Sequence, residues 1–282
     1  MNPVPKRSVS ERMNYCIGTG WWCDESDTKD RTTRKTMGDD AIRSSAFFEA
    51  WVESITSTAS PSTVIVIDSA SPTKPAIPAE LPLQWLALPE NAGHSTNHRG
   101  RWAGWTRSVM LGCEYAITAE FDYFVYVEQD CILSGDGIIE HCISKMKRGV
   151  MVGDGTGTPQ PLQQSFFIIS RSALPRFLHN LTRIKQRDGD LSPEYKFAFA
   201  SSSVLTTLCN MGILRVRALR KLAAFLATRF LMDKLPVGSG RARPIPSAEA
   251  HFYFQHASRA ELAEHGPPSG KVLGAPRDPL TA

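Results

Sequence analysis

The stretch Phe121-Asp-Tyr-Phe-Val-Tyr-Val-Glu-Gln-Asp-Cys-Ile-Leu133 decides how the chain is read. Aromatic and β-branched residues from Tyr123 to Val127 fit a buried strand, and it stops abruptly on Glu128-Gln129-Asp130. In an open α/β sheet, ligands collect just beyond the carboxyl ends of the strands. Two carboxylates separated by one residue at such an end are costly to desolvate unless a cation or hydrogen-bond donors offset the charge. The pattern therefore points to a metal or phosphate site. The other reading left open is a capping Asp and a solvated Glu at an ordinary strand-to-loop junction.

Upstream, three more strands end on polar residues. Asn14-Tyr-Cys-Ile-Gly-Thr-Gly20 reads as a first strand running into a glycine-containing loop. Its Gly-x-Gly lacks a third glycine and no helix follows at once, so a dinucleotide fingerprint is not met. Glycines there would let a backbone approach a ligand closely. The polar segment Asp24 to Lys35 reads as a long surface loop. Ile42, Phe47, Trp51 and Ile55 fall near helical spacing and predict a helix over about Asp40 to Thr58. Thr63-Val-Ile-Val-Ile-Asp68 is a second buried strand ending on Asp68-Ser69. A third, near Leu83 to Leu88, runs out into Asn91-Ala92-Gly93. An amphipathic helix over about Trp105 to Thr118 then delivers the chain to Phe121. Four alternations of strand and helix argue for parallel βαβ units.

Downstream, Ile138 to Met146 predicts a helix, and Gly149 to Pro159 a glycine-rich turn region containing Asp154. Gln163-Gln164-Ser165 opens a strand over Phe166 to Ile169, and a helix follows from Arg171 to Leu181. Ser192-Pro193-Glu194 is a helix start, with Ser as N-cap and Pro at the first position; that helix runs towards Asn210 with Gly212 as its stop. A further helix, about Leu214 to Met232, carries Leu219, Leu222, Ala223, Leu226 and Phe230 on one face and several basic residues towards its start. Such a helix can rest on an anionic membrane surface, or pack on the domain with its charges in water. Pro236 to Pro246 reads as a loop and His251 to His256 as a short aromatic strand.

With 282 residues, 42% hydrophobic and 21% charged, the chain has the volume and composition of a soluble α/β protein. A net charge of +4 with scattered basic residues does not point to nucleic acid. The six cysteines form no CxxC pair, which argues against a structural zinc site or a disulfide framework. No run reaches the ~20 apolar residues of a membrane span. The polar N-terminus lacks the apolar core of a secretory signal. A cytoplasmic protein is expected, with the inner face of the membrane as the place of any peripheral contact.

The strand ends Thr19, Asp68-Ser69, Asn91-Ala92-Gly93 and Glu128-Gln129-Asp130, in that order and spacing, resemble the GT-A class of glycosyltransferases, most closely its family 2-like members. The resemblance covers roughly residues 14 to 210. It departs from the pattern in having Glu for the first Asp of Asp-x-Asp, and in lacking the Ala-Arg-Asn that often follows Asn-x-Gly. It implies a GT-A-like, Rossmann-type three-layer sandwich with a central, mainly parallel sheet and a C-terminal helical and loop segment. Residues 1–12 would be a disordered lead-in and 258–282 a flexible tail. Residues 13–257 would form one catalytic domain, with 13–133 binding the nucleotide-sugar and 134–257 the acceptor.

The resemblance further implies transfer of a sugar from a nucleotide-diphosphate sugar to a saccharide or lipid-linked hydroxyl acceptor, assisted by Mn²⁺ or Mg²⁺ and inverting. Asp130 would be the direct metal ligand, with Glu128 on the ribose or reaching the metal through water, and His256 a further ligand ahead of His251. Asp68, Ser69, Thr19, Asn91 and Gly93 would surround the nucleotide. Glu194 would be the base that deprotonates the acceptor, with Asp154 as its rival, and Gln163 and Gln164 would bind acceptor hydroxyls. Arg241 and Arg243 would reach the diphosphate. Structural readings stay open beside these: Asx turns at Asp68 and Asn91, a first-turn helical Glu at 194, glutamines bridging loop backbone, solvated arginines, and a packed His256. Two rival functions also stay open, a sugar-nucleotide nucleotidylyltransferase and a non-catalytic nucleotide-sugar-binding module.

Overall fold

The computed structural model describes residues 13–24, 44–78, 81–93, 98, 100–155 and 158–274. The expected lead-in, most of the polar loop after Asp24 and the first residues of the Asp40 helix lie outside them. The molecule is an α/β sandwich around a seven-stranded sheet of order β3-β2-β1-β4-β7-β6-β8. These strands are β1 (Tyr15–Trp21), β2 (Thr63–Asp68), β3 (Leu83–Ala87), β4 (Tyr123–Val127), β6 (Val150–Asp154), β7 (Leu162–Ser170) and β8 (Asp233–Lys234). The four strands expected from the sequence are mutually parallel, β2 lying between β3 and β1, and β1 between β2 and β4. Beyond β4 the sheet reverses, because β7 is antiparallel to both β4 and β6.

Alternation along the strands divides the core between the two faces of the sheet. Val125 and Val127 of β4 and Phe166 and Ile168 of β7 face α1 (Phe47–Thr58) and α3 (Ile138–Lys145). Phe124, Tyr126, Phe167 and Ile169 face α2 (Gly104–Thr118), α4 (Leu174–Arg183) and α5 (Pro193–Ala200). The close approach of α2 depends on missing side chains. A Cβ on Gly18 or Gly112 would stand 2.6 and 2.5 Å from the Phe124 ring, and one on Gly20 would meet Ser108 Oγ at 2.6 Å. The β1 glycines therefore make room for the core rather than for a ligand. β1 also continues through Trp21, two residues past its expected polar end at Thr19.

A three-stranded sheet packs beside the first, in the order β5 (Cys131–Ser134), β10 (Phe252–Gln255), β9 (Gly238–Gly240). β10 runs antiparallel to β5, which begins directly after Asp130. The glycine-rich turn region and the Pro236–Pro246 loop thus carry strands β6 and β9.

Two further segments differ from expectation. The helix predicted over 193–210 is broken into α5 and α6 (Ser203–Asn210). Asn180 of α4 donates to the Ala200 carbonyl at 2.9 Å and accepts from Ser203 Oγ, so the break is hydrogen-bonded from outside. Ser202 caps α6, whereas Ser192 makes no side-chain cap on α5. The stretch expected as a flexible tail carries α8 (Arg259–His265) and α9 (Pro268–Gly274). A Ser258–Glu261 capping box starts α8, Leu262 is buried in the core, and Ser269 N–H donates to Glu53 of α1 at 3.0 Å.

Candidate active site

Because β7 is antiparallel to β4, its first residues lie at the carboxyl end of β4; Glu128 N–H donates to Ser165 O at 2.8 Å. Asp154, at the end of β6, pairs with Leu162 at that same edge. One sheet edge therefore gathers Asp68, Glu128, Asp130, Asp154, Gln163 and Gln164.

At its centre, the Gln255 Nε2 group donates to Glu128 Oε2 at 2.8 Å and to Asp130 Oδ1 at 3.2 Å. The antiparallel pairing of β10 with β5 sets Gln255 opposite Cys131 and carries the next residue, His256, to the carboxylates. His256 Nε2 lies 3.3 Å from Asp130 Oδ2, while its Nδ1 is buried without a hydrogen-bond partner. The His256 backbone is left-handed, at φ 56°. The carboxylates set a negative field: burial pushes the Tyr126 phenol up and Glu128 and Asp130 push it further, and the same causes raise the Cys131 thiol.

Gln129, between the two carboxylates, faces the end of β1. It accepts from Trp22 N–H at 2.8 Å and donates to Trp22 O at 3.2 Å. From the other side, Ser71 Oγ accepts from Cys23 N–H at 3.0 Å, and Ser71 itself donates to Asp68 Oδ1. The Trp21–Cys23 segment is thereby held between the ends of β2 and β4. Asp68 is fully buried, and its Oδ2 has no hydrogen-bond partner among the described residues.

The structure gives several expected ligand residues structural work. Asn91 Oδ1 accepts from Gly93 N–H at 2.8 Å, an Asx turn, and Ser69 Oγ accepts from Ala92 N–H at 3.0 Å. Gly93 O in turn accepts from Gly104 N–H at the start of α2. Thr19 is buried inside β1, with a long bond to its neighbour's carbonyl. Gln163 bridges backbone, donating to Asp154 O at 2.6 Å and accepting from Arg241 N–H at 2.7 Å. Gln164 Oε1, by contrast, is buried without a partner. Arg243 is committed to Glu261 and to the carbonyls of Gly240, Ala242 and Gln255, so it is a staple for α8. Arg241 Nε is buried and unpartnered. His251 bonds the Asp136 carbonyl away from the carboxylates.

On the far side, Asp154 forms an ion pair with Lys234 at 2.5 Å. Glu194 sits at the second position of α5, half-buried. The start of α5 is anchored by a buried ion pair between Lys196 and Asp188, whose other oxygen accepts from Ala103 N–H at 2.6 Å. Beside it opens a cleft of about 500 Å³ lined by Gln160, Ser192, Tyr195, Arg217, Arg220 and Lys221, with Pro159 and Asp190.

For a divalent cation, the donor chemistry fits in part. Two carboxylates are hard oxygen ligands suited to Mn²⁺ or Mg²⁺, the imidazole nitrogen suits a transition ion better than Mg²⁺, and the negative field asks for positive charge. Among the described residues, however, no group of three or more His, Cys, Asp or Glu side chains is arranged to hold a metal ion. Asp130 and His256 face each other directly, whereas Gln255 stands between Glu128 and Asp130 and donates to both. Gly18 and Gly20 lie within β1 and pack against Phe124 and Ser108.

Gln129, Gln255 and Ser71 were not singled out from the sequence. The position of Gln129 between two carboxylates, and of Gln255 beside His256 at the end of an aromatic strand, were the signals available.

No family model matches the chain, and no curated protein does. Among solved structures, it is similar to S. aureus TarS 1-349, at 12% identity over 88% of this chain and 61% of that one, with a TM-score of 0.43. The same TarS fragment in complex with UDP-GlcNAc matches at 11% identity, over 87% and 58%, with a TM-score of 0.41. The apo form of the glycosyltransferase GlyE of Streptococcus pneumoniae TIGR4 matches at 9% identity, over 79% and 45%, with a TM-score of 0.38. The chain spans about three fifths of the TarS chain and less than half of GlyE.

Proposed function

We propose that the chain is a GT-A-like glycosyltransferase that moves a sugar from a nucleoside-diphosphate sugar to a hydroxyl acceptor with inversion. The observation that carries this reading is the convergence at one sheet edge of buried Asp68, the Glu128–Asp130 pair and His256, which reaches Asp130 from a separate sheet. Asp68 Oδ2, buried and unpartnered, is suited to accept a donor hydrogen from the base or ribose. Asp130 and His256 would hold a divalent cation, with Glu128 beside them. When bound, that cation would supply positive charge against the diphosphate as its bond to the sugar breaks. Arg241, with an unpartnered buried Nε, is the better placed of the two arginines for the diphosphate.

On the acceptor side, an inverting transfer needs one base. Asp154 is already paired with Lys234, so the role falls to Glu194. The Glu194 carboxylate takes the hydroxyl proton as the acceptor oxygen bonds to the anomeric carbon. The bond from that carbon to the phosphate oxygen breaks, and its electrons leave with the nucleoside diphosphate. Gln164, with its free buried oxygen, would orient the acceptor.

The test is calorimetric titration with UDP, GDP and their sugars, with and without Mn²⁺, on the wild type and Asp130→Asn. Metal-dependent binding of one nucleotide, lost in the variant, is the expected result. No binding of any of them would overturn the donor-site reading.

A further inference from the structure

The helix after Leu214 keeps its larger apolar side chains outside. Helix α7 (Arg217–Leu226) and the π turn after it (Ala227–Leu231) bury only alanines, Ala223, Ala224 and Ala227. The larger residues are outside: Val216, Leu219, Leu222, Phe225, Leu226 and Phe230 are between 43% and 60% exposed. Leu219, Leu222 and Leu226 share one stripe, with Phe225 beside them. Nine of the thirteen large apolar side chains exposed among the described residues lie between 211 and 231. The same span holds five basic residues and no acidic one. Arg217 and Lys221, one turn apart, flank the apolar stripe and line the cleft together with Arg220. Arg220 lies over the Tyr195 ring at 5.2 Å with its Nε buried and unpartnered.

We infer that this ridge is a docking surface for an anionic lipid bilayer, lying along the surface with Phe225 and its leucine neighbours among the acyl chains. Leu and Phe on one flank and Lys and Arg on the next is the arrangement that seats a helix at a headgroup boundary. The charge argues for lipid over a second copy of the chain. A two-fold interface through this ridge would set five positive side chains against the same five, with no carboxylate of the span to answer them. The inference is independent of the donor-site chemistry, and it places the acceptor-side cleft at the bilayer.

The experiment is co-sedimentation of the full chain with vesicles of phosphatidylcholine alone and of phosphatidylcholine with phosphatidylglycerol, at low and high salt. The expected result is at least tenfold stronger partitioning onto the anionic vesicles, weakened by salt. Leu222→Glu combined with Phe225→Glu should abolish it, and Arg217→Gln combined with Lys221→Gln should reduce it about thirtyfold. Circular dichroism and nucleotide binding should be unchanged in the Leu222/Phe225 variant, which separates this inference from the donor-site reading. No partitioning onto anionic vesicles would overturn the inference, as would unaltered partitioning of the Leu222/Phe225 variant. Light scattering that shows a dimer, split by that variant and indifferent to vesicles, would assign the ridge to self-association instead.

Discussion

The Gln129 side-chain amide pairs with the Trp22 backbone as a strand neighbour would, accepting from its N–H at 2.8 Å and donating to its carbonyl at 3.2 Å. β1 and β4 stop being paired by their own backbones before this point, at Gly18 and Tyr126. One side chain thus continues the ladder past the ends of both strands and fixes the turn that carries Glu128 and Asp130.

Gln129→Ala should therefore lose about 1–3 kcal/mol of stability, since two half-buried backbone groups lose their partner. Urea denaturation measures this directly. The variant should also bind nucleotide more weakly with both carboxylates intact, and unaltered affinity would mean that the turn holds its shape without Gln129.

His256 combines a left-handed backbone with an imidazole facing Asp130, and two substitutions separate them. His256→Gly and His256→Ala both remove the ring, so both should lose metal-dependent nucleotide binding. Only alanine pays the left-handed strain, so it should be the less stable of the two by about 1 kcal/mol. Full Mn²⁺-dependent binding in His256→Gly would remove His256 from the ligand set.

Glu194→Gln should lower turnover by ~10²-fold or more while leaving nucleotide affinity unchanged. Asp154→Asn, which weakens an exposed pair with Lys234, should leave turnover within a fewfold of wild type. Single-turnover assays on the two variants distinguish the bases, and the reverse ranking would exchange their roles.

Lys196→Met should destabilise the fold by about 3–5 kcal/mol, because it strands the buried Asp188 carboxylate. Adding Asp188→Asn should recover part of that loss, since an amide oxygen can still accept from Ala103 N–H. Chemical denaturation of the single and double variants forms the test.

Stability should fall at alkaline pH. Burial pushes the Cys16 and Cys142 thiols up to about 12 and that of Cys209 to about 11. In the unfolded chain a thiol titrates near ~8.5, so above that pH the unfolded chain releases protons that the folded chain keeps. The contribution of these thiols is complete below pH ~8.5 and is lost as pH rises towards their folded values. Lys196 acts in the opposite sense, because burial lowers its ammonium pKa, and it offsets part of the slope. Denaturation midpoints at pH 8, 9 and 10 should decline in that order.

What the sequence made legible was the parallel half of the sheet. Runs such as Thr63–Asp68 and Tyr123–Val127 are buried strands of β-branched and aromatic residues, and each stops on a polar residue. The antiparallel half was harder, because Val150–Asp154 is flanked by glycines that read as turn, and β9 is almost all glycine. Thr19 was misplaced as a strand end since nothing local stops β1 there; its register with β2 carries it on to Trp21 opposite Asp68. Hydrogen-bond commitments were not legible at all. That Gln163 and Arg243 are consumed by backbone and by Glu261, while Gln164 and Arg241 keep unpartnered atoms, depends on tertiary neighbours far away in sequence. For the same reason the sequence left open which side of α7 is buried: its alanines, the smaller apolar residues, take that side.

The pairing of β10 with β5 has a consequence for synthesis. Asp130 meets Gln255 across 125 positions of chain, and His256 follows one residue later. A nascent chain that has completed β1, β2, β4 and β7 already carries both carboxylates, yet nothing from β10 can reach them until residue 256 has left the ribosome. Until then Glu128 and Asp130 lack the amide that they share in the finished fold. The last third of the chain therefore acts as a folding clamp on a site that the first half lays out.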